Sequence, residues 1–151
     1  MTARDHWCTP KWLADALPPC DVDPCANTYS CVPTKIILVE ADNGLNPVWT
    51  HTYNRPFINP PYSRGQVIKW VRTWKHTDFI FLLRWDPSTE WFSELIEQTD
   101  LVWFARQRIN FTPPPGIKAS SNPYPHALFF KGREEAALDK LANLGKFFSP
   151  R

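Results

Sequence analysis

The chain has 151 residues, 17 Lys or Arg against 15 Asp or Glu, a formal net charge of +2 and 43% hydrophobic residues. That length fits one domain spanning 1–151 with a sizeable core, and the composition excludes a highly charged disordered chain and a fibrous one. No apolar run approaches a membrane span, and Met1 to Trp7 lack the apolar core of a secretion signal, so a cytoplasmic protein with no membrane partner is expected.

In chain order, Thr9 reads as a helix N-cap and Pro10 as the first residue of a helix through Leu17. An extended run then meets the turn Asp23-Pro24-Cys25-Ala26-Asn27. Ile36 to Glu40 reads as a strand, Asp42-Asn43-Gly44 as a tight turn, and Arg55 to Ile58 as another strand. Gln66 to His76 is a helix with Val67, Trp70, Val71 and Trp74 on one face. Asp78 to Arg84 is a buried strand, and Ser88 to Gln98 a helix carrying Trp91, Phe92, Leu95 and Ile96. Leu101 to Ala105 and His126 to Lys131 are further strands, and Arg133 to Leu144 a final helix closed by Gly145. Strands separated by helices predict an α/β fold with a mostly parallel, Rossmann-like sheet, in which ligands sit beyond the carboxyl ends of strands. Too few residues separate the turn at Asp23 from Ile36 for a crossover helix, so the first βα unit is expected to be reduced.

Cysteines stand at 8, 20, 25 and 31, with His6 nearby. Clustering suggests a metal, yet no pair has the two-residue gap typical of zinc knuckles; small buried thiols are the simpler expectation. Charge is unevenly spread: residues 1–42 hold six acids and three bases, residues 43–84 one acid and six bases, and residues 101–133 no acid and five bases. The later segments are those that suit phosphate.

Asn59-Pro60-Pro61-Tyr62 states a chemistry. Two prolines remove two N–H donors, so a sheet ladder stops at Asn59, and each proline holds its predecessor extended. The result is a stiff loop rich in acceptors. The Asn59 side-chain oxygen and the Pro60 carbonyl can each take one hydrogen of a planar amine, while Tyr62 offers a face to a heterocycle. Drawing on both hydrogens turns the nitrogen lone pair out of conjugation. A strand end followed by an ordinary loop is the alternative reading of the proline pair.

The tetrapeptide is the signature of amino-group methyltransferases, and its neighbours extend the match. Trp7-Cys8-Thr9-Pro10 with Trp12-Leu13, Asp21-Val22-Asp23-Pro24-Cys25-Ala26, Asp42-Asn43-Gly44-Leu45 with Trp49, Asn59-Pro60-Pro61-Tyr62-Ser63, Ser88-Thr89-Glu90-Trp91-Phe92 and Arg108-Ile109-Asn110-Phe111 occur in this order. With them the chain resembles the phage-type DNA N-6-adenine methyltransferases from residue 7 to about 130. The resemblance implies a compact Rossmann-like fold that binds S-adenosyl-L-methionine, with Asn59, Pro60, Pro61 and Tyr62 catalytic. It implies a cofactor site drawn from Trp7, Thr9, Pro10, Asp21, Asp23, Cys25, Asp42 and Asn43. Asp21 or Asp23 would take ribose hydroxyls or the amino-acid end, and Asp42 the adenine amine. The glycine-rich turn usual in such folds is missing, since no glycine precedes Gly44. If phage-encoded, the protein would work in bacterial host cytoplasm.

The implied partner is double-stranded DNA, whose target adenine must leave the stack to be reached. Tyr62 would receive it, and methyl transfer would be a direct displacement driven by orientation and charge dispersal. Ser63, Arg64, Arg106, Arg108 and Lys118 are the candidate DNA contacts. The proline-rich stretch from Thr112 to Pro125 is either a target-recognition loop or a connector, and most of the eight tryptophans are expected in the core. Two other readings stand beside this one: a methyltransferase acting on a glutamine amide or an RNA adenine, and a non-catalytic DNA-binding derivative.

Overall fold

The computed structural model describes residues 7–151. Its elements are α1 (Lys11–Ala14), β1 (Cys20–Asp23), β2 (Thr34–Ile37), α2 (Val48–Thr52), β3 (Phe57–Ile58), α3 (Gln66–Trp74), β4 (Ile80–Arg84), α4 (Glu90–Gln98), β5 (Leu101–Ala105), β6 (His126–Phe130), α5 (Asp139–Ala142) and β7 (Gly145–Phe148). Short 3₁₀ turns occupy Glu40–Asp42 and Glu135–Ala137. β1 and β2 form a parallel pair, and β3-β4-β6-β5-β7 a five-stranded sheet. The two are joined by a parallel bridge from Val22 to Pro56 and by the Asp21 N–H donating to the Arg55 carbonyl at 2.8 Å.

The α/β expectation stands, but the sheet is mixed. β3 and β4 pair in parallel, whereas β4 with β6, β5 with β6 and β5 with β7 are antiparallel. The cause is the long connection over residues 106–125, which lets β6 return between β4 and β5 instead of crossing over to run parallel. β1 and β2 are linked by residues 24–33 without a helix, so the first βα unit is reduced as its length requires.

β4 shows why the sheet is central. Ile80 and Leu82 face one side, packed with Leu13, Leu17, Trp103, Leu128, Phe130 and Leu141. Phe81 and Leu83 face the other, against Val67, Trp70, Val71 and Trp74 of α3 and Phe92 and Leu95 of α4. A strand covered on both faces reads as a continuous apolar run, and each such side chain contributes about 1.5–3 kcal/mol by burial. Trp70, Trp74 and Trp103 are core, as expected.

Several boundaries differ from the sequence reading. α1 spans only Lys11–Ala14, with Pro10 in the N-cap position and no side-chain cap, so Thr9 does not cap it. Pro18 and Pro19 hold Leu17 and Pro18 away from helical geometry. The strand expected at Ile36 to Glu40 is Thr34–Ile37, because Val39 enters the 3₁₀ turn. The helix expected from Arg133 to Leu144 breaks into the Glu135–Ala137 turn and α5, with Leu138 at φ −116° and ψ 37° between them. Gly145 does not close a helix but starts β7, an edge strand absent from the sequence reading.

Candidate active site

β1 and β3 lie side by side and end at the same edge of the sheet, so the turn after Asp23 and the loop after Ile58 meet there. Pro60 and Pro61 stop β3 after two residues and set Asn59 at its tip. Asn59 is half-buried and donates from Nδ2 to the Thr9 hydroxyl at 3.4 Å. That contact engages the amide nitrogen and leaves Oδ1 as the acceptor for an incoming amine. Thr9 is itself buried, on a segment fixed by mutual backbone hydrogen bonds between Cys8 and Thr112 of 2.7 and 2.8 Å.

Two hollows flank the tip and share Cys25. The smaller is lined by Trp7, Cys8, Thr9, Asp23, Asn27, Cys31 and Asn59. The larger, about 240 Å³, is lined by Pro24, Val39, Glu40, Asn43, Gly44, Leu45, Pro61, Ser63, Gln66 and Trp70 among others. One side is polar and acidic, the other mostly apolar with a single carboxylate, Glu40. Asp23 is buried, and its carboxylate accepts the Cys25 N–H at 3.2 Å. Burial pushes its carboxyl up to about 7, with the Cys25 hydrogen bond acting against the shift.

Gly44 shapes the larger hollow. An added Cβ would stand 1.9 Å from the Pro24 carbonyl oxygen and 2.8 Å from the Trp70 ring, so only glycine lets this loop close over the β1 turn. Its own carbonyl accepts from the Trp74 indole at 3.0 Å. The indole N–H of Trp70 is buried with no hydrogen-bond partner among the described residues.

Tyr62 stands on the far side of the tip. Its hydroxyl accepts the Arg84 backbone N–H at 2.8 Å, and burial pushes its phenol up, with that hydrogen bond acting against the shift. The Arg84 guanidinium lies over the Tyr62 ring, 4.2 Å from its centroid. His126 meets Tyr62 edge-on; burial pushes His126 down to about 4, and the charges of Arg84 and Arg108 act in the same direction.

The structure thus brings Trp7, Thr9, Asp23, Cys25, Asn43, Asn59, Pro61 and Ser63 to the two hollows. Asp21 lies outside both hollows, its carboxylate 4.0 Å from the Lys35 ammonium. Asp42 accepts the Val39 N–H at 2.9 Å, closing its own turn, and Glu40 lines the cleft in its place. Glu40 was legible as the acid at the end of the second expected strand. Arg64, Arg108 and Lys118 are exposed, whereas Arg106 donates to the Asn143 carbonyl. Among the described residues no group of three or more His, Cys, Asp or Glu is placed to hold a metal, and no helix is long and apolar enough to cross a membrane; His6 lies outside the described residues.

Residues 1–139 match the family model described as DNA N-6-adenine-methyltransferase (Dam). No curated protein and no solved structure gives a match.

Proposed function

Since the chain belongs to the DNA N-6-adenine-methyltransferase (Dam) family and is an adenine-specific DNA methyltransferase, we propose that S-adenosylmethionine lies across both hollows and that the target adenine is flipped onto the Asn59-Pro60-Pro61-Tyr62 loop. The observation that carries this reading is the place of Asn59, at the wall of the acidic hollow, two residues before Pro61 and four before Ser63, which line the larger one. On this reading the fold is the Rossmann-like one of S-adenosylmethionine-dependent methyltransferases, with its ligand beyond the strand ends.

The residues fit the cofactor by chemistry. Asp23 is a carboxylate whose pKa burial raises, and the ammonium or sulfonium would favour its ionised form. Glu40 can accept ribose hydroxyls, and Val39, Leu45, Pro61 and Trp70 make an apolar bed for a purine. Bound there, S-adenosylmethionine would supply the methyl group, which would pass to the adenine amine as the methyl–sulfur bond breaks, S-adenosylhomocysteine leaves and the amine sheds a proton to solvent. Asn59 Oδ1 and the Pro60 carbonyl orient that amine, and Thr9 holds the Asn59 amide against rotation. Most of the acceleration then comes from alignment. Ser63, Arg64, Arg108 and Lys118 supply phosphate contacts around the loop.

The test uses methyl-labelled S-adenosylmethionine with duplex DNA, RNA and cell protein in separate incubations. Label recovered as N6-methyladenine in duplex DNA is the expected outcome. Label confined to RNA or protein overturns the substrate assignment.

Asp23 also gives this site a pH signature. The ligand's cation favours the ionised form, so binding below about pH 7 releases a proton and affinity should rise about tenfold per pH unit up to that point, then level off. For the ligand-free protein the sign reverses. The folded state holds the Asp23 proton more tightly than the unfolded chain, whose carboxyl titrates near 3.9, so this group's contribution to stability falls as pH rises from about 4 to about 7 and is constant above. Calorimetric titration across pH 5.5 to 8.5 checks the first effect, and Asp23→Asn should bind weakly with the slope removed.

A further inference from the structure

The Arg84 guanidinium is held in an unusual way. It lies between two aromatic faces, 4.2 Å from the Tyr62 centroid and 3.8 Å from the Tyr124 centroid. Among the described residues its Nε is buried with no hydrogen-bond partner, and no ion pair includes it. Arg84 is half-buried, and stacking on the two rings is the contact that holds the flat cation among the described residues. The planar guanidinium is thus in stacking contact with both rings.

Both walls are firmly set. Tyr62 is pinned through its hydroxyl to the Arg84 backbone. Tyr124 is positioned by Asn122, whose Oδ1 accepts the Tyr124 N–H at 3.0 Å and whose Nδ2 donates to the Ile109 carbonyl at 2.9 Å. The same Nδ2 lies 2.9 Å from His126 Nδ1, which ties this loop to the start of β6. Tyr124 is 47% exposed, so this side of the slot borders solvent.

We propose that Tyr62 and Tyr124 are the two walls of a slot for the flipped adenine, and that Arg84 fills this slot until the base displaces it toward the DNA backbone. This rests on the adenine-flipping reading above. A base enters a slot whose walls are already spaced, so no aromatic surface needs to be rebuilt. No ion pair among the described residues holds the guanidinium, so once released it can meet a phosphate.

The test titrates 2-aminopurine riboside, a fluorescent adenine isomer quenched by stacking, into protein saturated with S-adenosylhomocysteine. Wild type should quench it. Tyr124→Ala should bind it about tenfold more weakly and Tyr124→Phe should restore binding to within about threefold. Arg84→Ala removes the competitor and should bind the riboside about threefold or more tightly. In DNA methylation, Tyr124→Ala should lose about tenfold in kcat/KM with S-adenosylmethionine affinity unchanged, and Tyr124→Phe should recover it. Wild-type behaviour of Tyr124→Ala in both assays, or weaker riboside binding by Arg84→Ala, overturns the slot. A wild-type protein that labels no DNA counts against the methylation reading instead, and the riboside titration then decides the slot alone.

Discussion

Asn59→Ala should lower the rate of methyl transfer by about a hundredfold to a thousandfold, the cost of removing one preorganised polar contact to a reacting group, while cofactor and DNA binding persist. The loss is confined to the chemical step because Asn59 is not a large part of either binding surface. Its neighbour provides an internal scale. Thr9→Val keeps the shape of a buried side chain but takes away the hydroxyl that receives the Asn59 amide at 3.4 Å, so the amide is free to turn and a smaller loss, about tenfold in kcat, is expected. Thr9→Ser should retain most of the rate. Single-turnover transfer with labelled cofactor measures all three, and an Asn59→Ala protein within about threefold of wild type would remove this residue from the mechanism.

Gly44→Ala should be the most damaging single-methyl change in the cofactor hollow. The new Cβ would need space already held by the Pro24 carbonyl, 1.9 Å away, and the partner there is backbone that cannot rotate aside. Overpacking of this kind costs about 1–3 kcal/mol, a fall of roughly 2–12 °C in Tm for a chain of this size. Because Pro24 sits between Asp23 and Cys25, displacement also spoils the hollow, and cofactor affinity should drop at least about tenfold. Gly116→Ala is the control. Gly116 has φ +84° with nothing within 4 Å of an added Cβ, so it carries conformational strain of about 1–2 kcal/mol without touching the cleft. Thermal melts and cofactor titrations of both variants separate collision from strain; equal losses of affinity would show that Gly44 is not special.

The parts legible in the sequence were those written in local pattern. β4 is a run of apolar residues that only a doubly covered strand tolerates, β5 stands at Leu101–Ala105 as its apolar run predicts, and α3 follows its Val67, Trp70, Val71, Trp74 stripe. The tip at Asn59 was legible for the same reason, since two prolines dictate geometry without help from distant residues. What stayed hidden depended on partners far along the chain. Residues 133–144 carry helix-forming alanines and leucines, yet the helix breaks at Leu138, and Gly145 opens β7 because it can approach the Phe104 carbonyl so closely that a Cβ there would be 2.1 Å from it. Asp42 and Glu40 differ by two positions and have the same charge; which one turns inward is decided by the 3₁₀ turn that Asp42 closes upon Val39. The stacking of Arg84 on Tyr124 joins residues forty apart, and no periodicity announces it.

The join between the two sheets has a thermodynamic meaning. β1 and β2 are tied to the five-stranded sheet through the backbone by the Val22 to Pro56 bridge and the Asp21 to Arg55 hydrogen bond, and β2 is an outer edge with Ile36 and Ile37 exposed. Such a unit can open on its own, below the cost of global unfolding. The larger hollow takes Pro24, Ala26, Val39 and Glu40 from this unit and Pro61, Ser63 and Trp70 from the main body. A molecule seated there is therefore a staple across the seam, and its binding energy is spent partly on making two cooperative units into one.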